Sequence, residues 1–154
     1  MKAQGFRFES DFVESLRCIP MSVRLKLDLA GIKLKLSEWS RLGRIERSAL
    51  VSGPCASPEE IETWKGLVCV LVESACGAAP ALMPPADPVW ESVQDTPDQV
   101  KEKAASLGLA LESDAWKSLS PLQRFALIKL SRPGHENMNF APACREFGLS
   151  PFGT

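Results

Sequence analysis

Long hydrophobic runs are missing from this chain of 154 residues: the longest, Leu67 to Val72, is far shorter than the ~20 residues a membrane-spanning helix needs. Histidine is nearly missing too, with one residue in the whole chain. The five cysteines, Cys18, Cys55, Cys69, Cys76 and Cys144, are odd in number and contain no Cys-x-x-Cys pair, which with a single histidine argues against a structural zinc site. Their expected role is that of small buried hydrophobes, with Cys69 and Cys76 on one face of a helix. Neither sign of charge prevails, with 18 Lys and Arg against 19 Asp and Glu. A net charge of −1 argues against a general nucleic-acid binder. Glycine-rich phosphate loops, nucleophile elbows and metal-spaced histidine or carboxylate pairs are all missing, so neither a cofactor nor a metal is expected. The opening residues Met1-Lys2-Ala3-Gln4-Gly5 reach an acid by Glu9 without a signal-peptide core, from which a cytoplasmic protein off the membrane is expected.

What is present suits a packed globular protein: 45% hydrophobic and 24% charged residues. The length fits one domain, residues 1–154, burying roughly two-thirds of its unfolded surface. Charge is unevenly placed along it. Residues 1–51 hold ten basic and six acidic side chains, 52–115 three and eleven, and 116–154 five and two. Two basic blocks thus flank an acidic one, which the blander view treats as mutually neutralising or solvated faces.

Shifting the sequence by 77 positions reveals an internal repeat. Pro20, Val23, Lys26, Gly31, Leu34, Trp39, Leu42, Arg47, Ala49 and Leu50 fall on Pro97, Val100, Lys103, Gly108, Leu111, Trp116, Leu119, Arg124, Ala126 and Leu127, ten identities in 32 ungapped positions. Two related halves are expected, about 20–75 and 97–148, each burying its apolar face against the other, with the proline-rich stretch 77–95 as linker.

The repeat also resolves an ambiguity of periodicity. Val23, Leu25, Leu27 and Leu29 alternate as a strand would, but the equivalent residues from Val100 to Leu107 do not and are rich in helix formers. Both stretches share apolar residues at i, i+4 and i+7, so both are expected to be helices, ended by Gly31 and Gly108 in left-handed conformation. Thr96-Pro97-Asp98-Gln99 has the pattern of a capping box, as does Ser120-Pro121-Leu122-Gln123. Short extended pieces (32–36 and 109–111) lead to turns around Trp39 and Trp116, two core anchors, and to second helices at about 44–51 and 121–131. A third helix opens at Ser57-Pro58-Glu59-Glu60 and buries Ile61, Trp64, Val68, Leu71, Val72 and Ala75. Another near the C-terminus buries Phe140, Ala143, Cys144 and Phe147 and ends at Gly148, and a leading helix covers about Asp11 to Cys18. The expected fold is an all-α bundle of about six to eight short helices.

Candidate chemistry is sparse. Glu59 and Glu60 stand together as an acid/base pair would, yet Glu60 has the position to complete a cap and both acids oppose the helix dipole. Ser131 to Asn139 gathers the one histidine, His135, with Arg132, Glu136 and Asn137, none of which the first-half counterpart 52–56 contains. A polar corner present in one half only is what a ligand or partner site would produce, although a hydrogen-bonded loop whose histidine and asparagines cap helix ends is the simpler account. Lys26/Lys103 and Arg47/Arg124 recur in both halves. They could frame an anion pocket between the halves, or each arginine could tie its own unit together through carbonyls or a carboxylate while each lysine is solvated.

These residues resemble the nitrate reductase-associated protein family, small bacterial proteins without an established activity. The likeness rests on Phe6-Arg7-Phe8-Glu9, on Leu16-Arg17-Cys18-Ile19-Pro20-Met21, and on the stretch from Val23 to Leu34 with Trp39. It continues from Leu122 to Arg132, in Gly134-His135-Glu136-Asn137 and in Glu146-Phe147-Gly148-Leu149, and is lost over 76–95. The resemblance implies a setting beside assimilatory nitrate reductase and molybdopterin cofactor synthesis, and assigns no catalytic residue. The reading that follows is a non-enzymatic accessory protein of nitrate assimilation, contacting nitrate reductase or a molybdopterin-assembly protein. The alternative is a small-molecule or anion sensor lined by Arg47, Arg124, Arg132 and His135. An enzyme using His135 and Glu136 as acid and base is disfavoured, because neighbouring helical positions do not converge.

Overall fold

Pro20 has no amide hydrogen to donate, and with φ −58° and ψ 148° it stands just ahead of the first helix, α1 (Met21–Ala30). Its carbonyl accepts from the amides of Val23 and Arg24 at 3.0 and 2.9 Å. Gly31 ends the helix in the left-handed region, φ 75°, its amide bonded to the Leu27 carbonyl. Val23, Leu27 and Ala30 are buried, as the helical spacing requires and the strand alternation does not. This is a computed structural model, and it describes residues 19–91, 96–109, 111, 113–132 and 139–149. The helix expected over Asp11 to Cys18 lies outside them, as do His135, Glu136 and Asn137.

Eight α-helices follow one another among the described residues. After α1 a two-residue strand, β1 (Ile32–Lys33), leads into α2 (Leu36–Arg41) and α3 (Arg44–Ser52), which carry Trp39 and Leu50 into the core. α4 (Pro58–Cys76) is the longest. Ser57 Oγ accepts from the Glu60 amide at 3.1 Å, and Glu60 Oε1 accepts from the amides of Ser57 and Ala56 at 3.2 and 2.8 Å. The adjacent acids are therefore capping residues on one side and dipole-opposing on the other. Then come β2 (Ala81–Leu82), a single 3-10 turn (Val89–Glu91), α5 (Asp98–Ser106), α6 (Ser113–Lys117), α7 (Pro121–Leu130) and α8 (Phe140–Glu146). α7 opens with the reciprocal Ser120–Gln123 box that its sequence announced.

The described residues form two compact units, dividing between Asp87 and Pro88. In the first, α1, α2 and α3 pack on α4, around Val23, Leu27, Trp39, Leu50, Val68 and Val72. In the second, α7 packs on the 3-10 turn, α8 and α5, with Trp90, Val100, Phe125, Leu127 and Phe140 buried. Trp90 meets Phe125 edge to face, centroids 5.0 Å apart.

Several expectations need correction. The Thr96 capping box does not form: Pro97 itself is the cap residue of α5, with no side-chain cap bond. Gln99 instead spans to α7, donating to the Ile128 carbonyl at 3.1 Å and to Ser131 Oγ at 3.0 Å. Thr96 Oγ1 is left buried without a partner. Part of the stretch expected as a linker, residues 81–86, bonds to the first unit. β2 pairs antiparallel with β1, Ile32 opposite Leu82 and Lys33 opposite Ala81. The amides of Met83 and Ala86 bond the carbonyls of Gly31 and Asp28. Cys69 and Cys76 are half-buried rather than buried, whereas Cys144 is fully enclosed.

Candidate functional site

Two of the arginines put forward as site residues, Arg47 and Arg124, donate to backbone carbonyls. Arg124, on the second turn of α7, is 2% exposed. Its Nε donates to the Trp90 carbonyl at 2.6 Å and its Nη1 to the Leu119 carbonyl at 2.5 Å. It thereby fastens the 3-10 turn and the turn after α6 onto α7. Arg47, at the matching position of α3, is half-buried, and its Nη1 donates to the carbonyl of Leu42. Leu42 and Leu119 themselves correspond under the 77-residue shift, so each guanidinium reaches the same position of its own unit. Of the two sequence readings of these arginines, the carbonyl tie is what the geometry shows.

Lys26 departs from its expected solvated state. Its Nζ donates to the carbonyls of Leu50, Val51 and Gly53 at 3.2, 2.6 and 2.7 Å. These are groups at the end of α3 that the helix cannot bond internally, and the cation also sits at the negative end of the helix dipole. Burial pulls the Lys26 pKa below its usual range, which the neighbouring Cys55 partly opposes. The Cys55 thiol is pushed up by burial, with Lys26 working against and Glu60 adding to the shift. Trp64 Nε1 also donates to the Leu50 carbonyl, at 3.0 Å. In the second unit Gln99 donates to a carbonyl near the end of α7, that of Ile128.

Arg132 follows the end of α7 and is exposed, its amide bonded to the Lys129 carbonyl at 3.3 Å. His135, Glu136 and Asn137 fall in the stretch the structure does not describe. Among the described residues no cluster of three or more His, Cys, Asp or Glu side chains could hold a metal ion, and no helix is long and apolar enough to cross a membrane.

A concave feature does occur, in a place the sequence reading did not mark. A cleft of about 220 Å³ opens beside the start of α4, between Gly53-Pro54 and the helix face carrying Thr63, Trp64 and Leu67, with Glu59 and Glu60 at its rim. The available signal was the apolar run 67–72, which is fuller than the buried stripe of α4 demands. Leu67 and Val70 fall off that stripe, and they are 36% and 64% exposed.

The profile of the conserved nitrate reductase-associated proteins matches residues 5–147, nearly the whole chain and both units. The chain belongs to that family. No curated protein and no solved structure shows significant similarity to it. For this nitrate reductase-associated family member, the geometry assigns Arg47, Arg124 and Lys26 to holding turns and helix ends in place. The cleft beside the start of α4 is lined largely by apolar atoms.

Proposed function

We propose that this chain is a non-enzymatic accessory protein of nitrate assimilation that acts by contacting nitrate reductase or a protein of molybdopterin cofactor assembly. The observation that carries the reading is the family match over residues 5–147, whose name ties the family to nitrate reductase. The structure is consistent with it. Cations that a catalytic or anion-binding centre would need are occupied by backbone carbonyls, while Leu67 and Val70 of the longest helix face outward. The scaffold is read as a duplicated unit. Supporting that are the matched prolines before α1 and α5, Gly31 and Gly108 at φ 75° and 73°, and Trp39 and Trp116 each 2% exposed. Affinity-tagged protein purified from nitrate-grown cells tests the function. Enrichment of the reductase or of a molybdopterin-assembly protein over a tag-only control is the expected result. Repeated failure to enrich either removes the reading.

A further inference from the structure

We propose that the outer face of α4, together with the cleft at its start, docks an amphipathic segment of the partner protein that carries a bulky apolar side chain beside Lys or Arg residues. The inference rests on the accessory-protein reading and assigns it a surface. At about 100° per residue, Glu59, Glu62 and Glu73 fall on one edge of the outward face of α4. Thr63, Leu67, Val70 and Ser74 fall on the adjoining edge. All seven are exposed. Gly66 lies on the acidic edge, between Glu73 and Glu59, and a Cβ placed there would meet nothing within 4 Å, so a partner backbone can approach closely.

The apolar edge runs into the cleft, which Thr63, Trp64 and Leu67 share with Gly53 and Pro54. Trp64 offers no free polar group there, because its indole N–H already donates to the Leu50 carbonyl. What fits against it is therefore an apolar side chain. Glu60 is committed to its cap, bonding the amides of Ala56 and Ser57. Among the described residues no hydrogen bond or ion pair engages the carboxylates of Glu59, Glu62 or Glu73, and the one basic residue of α4, Lys65, lies off this face. A positively charged flank on the partner would meet these three carboxylates. Two exposed apolar side chains, Leu67 and Val70, beside three unpaired carboxylates fit a helix-on-helix contact with a basic amphipathic partner.

The test compares the tagged wild-type chain with three variants in nitrate-grown cells, measuring how much reductase and molybdopterin-assembly protein each retains. Val70→Glu and the triple change Glu59→Gln/Glu62→Gln/Glu73→Gln alter the proposed surface. Ile45→Glu, at a site 81% exposed elsewhere in the same unit, is the control. Thermal unfolding verifies that all variants fold, which their exposure leads one to expect. A photo-cross-linking residue at Val70 then maps the contact. The proposal expects a ten-fold or greater loss of partner with Val70→Glu, and a salt-sensitive loss with the triple change. Ile45→Glu should behave as wild type, and the Val70 cross-link should land in a Lys/Arg-bearing amphipathic segment of the partner. Retention of partner by the Val70 and triple variants at wild-type levels would overturn the surface and leave the accessory role standing. Failure of the wild-type chain to retain either partner would overturn both. A cross-link from Val70 to a second copy of the chain would replace the partner protein by self-association and so refute the proposal.

Discussion

Replacing Arg124 by methionine keeps the length of the apolar stem and removes the guanidinium. The carbonyls of Trp90 and Leu119 then stay in a buried setting without their donor. Each lost bond is to a charged group and is worth roughly 1.5–3 kcal/mol, so a loss of about 3–6 kcal/mol is expected. That is a large share of the roughly 5–15 kcal/mol that holds an ordinary domain together, and at this chain length it lowers Tm by roughly 6–24 °C. Buried ions can sometimes be exchanged for apolar residues at little cost, but only when their partners are exchanged as well, and here the carbonyls cannot be. Arg47→Met is the internal comparison: one bond, half-buried, with a loss of about 1 kcal/mol. Urea unfolding of both variants, followed by far-ultraviolet circular dichroism and tryptophan fluorescence, gives the two values side by side. A loss below about 1 kcal/mol for Arg124→Met, or equal losses at the two positions, would refute the view that Arg124 braces the second unit.

Three further outcomes follow from single contacts. Lys26→Met removes the donor to three carbonyls at the end of α3 and should cost about 1–3 kcal/mol in urea unfolding, where a solvated lysine would cost nothing measurable. Gly31→Ala and Gly108→Ala share a strained left-handed conformation worth about 1–2 kcal/mol, but a Cβ at Gly31 would also stand 2.5 Å from the Met83 carbonyl oxygen, while at Gly108 it meets nothing. The Gly31 variant should therefore lose clearly more, by thermal melting. Burial pushes the Cys144 pKa up to about 12 from 9.0, with Arg145 opposing. Between those values the unfolded chain gives up the thiol proton and the folded chain does not, so stability falls as pH rises, by at most about 1.4 kcal/mol per pH unit. Cys144→Ala should flatten that alkaline slope in urea titrations at pH 9 and 10.5, in a chain that has no tyrosine to titrate there.

What the sequence disclosed was whatever is encoded locally. Ser57 and Glu60, or Ser120 and Gln123, bond each other across one helical turn, so their pattern survives in the letters alone. Gly31 and Gly108 likewise mark helix ends because few other residues tolerate their backbone angles. The Thr96 box failed for a local reason as well: Pro97 took the cap position, which placed threonine one residue too early to cap anything. What stayed hidden depends on acceptors with no side-chain signature. Lys26 and both arginines bond main-chain carbonyls brought to them by folding, and a carbonyl looks the same at every residue. The pairing of Ile32–Lys33 with Ala81–Leu82 is too short to leave an alternating pattern, and Trp90 sat unnoticed among prolines. The candidate site was legible only in part. Arg47 and Arg124 stood out in the letters, but the carbonyls they bond did not, while the outer face of α4 showed only as two apolar residues too many.

The accessory role is tested most directly by mixing the purified chain with purified nitrate reductase, and separately with each molybdopterin-assembly protein, and weighing the species by light scattering on a sizing column. The account predicts a complex of defined stoichiometry with at least one of these proteins. Every mixture separating into its uncomplexed components at micromolar concentration would contradict it.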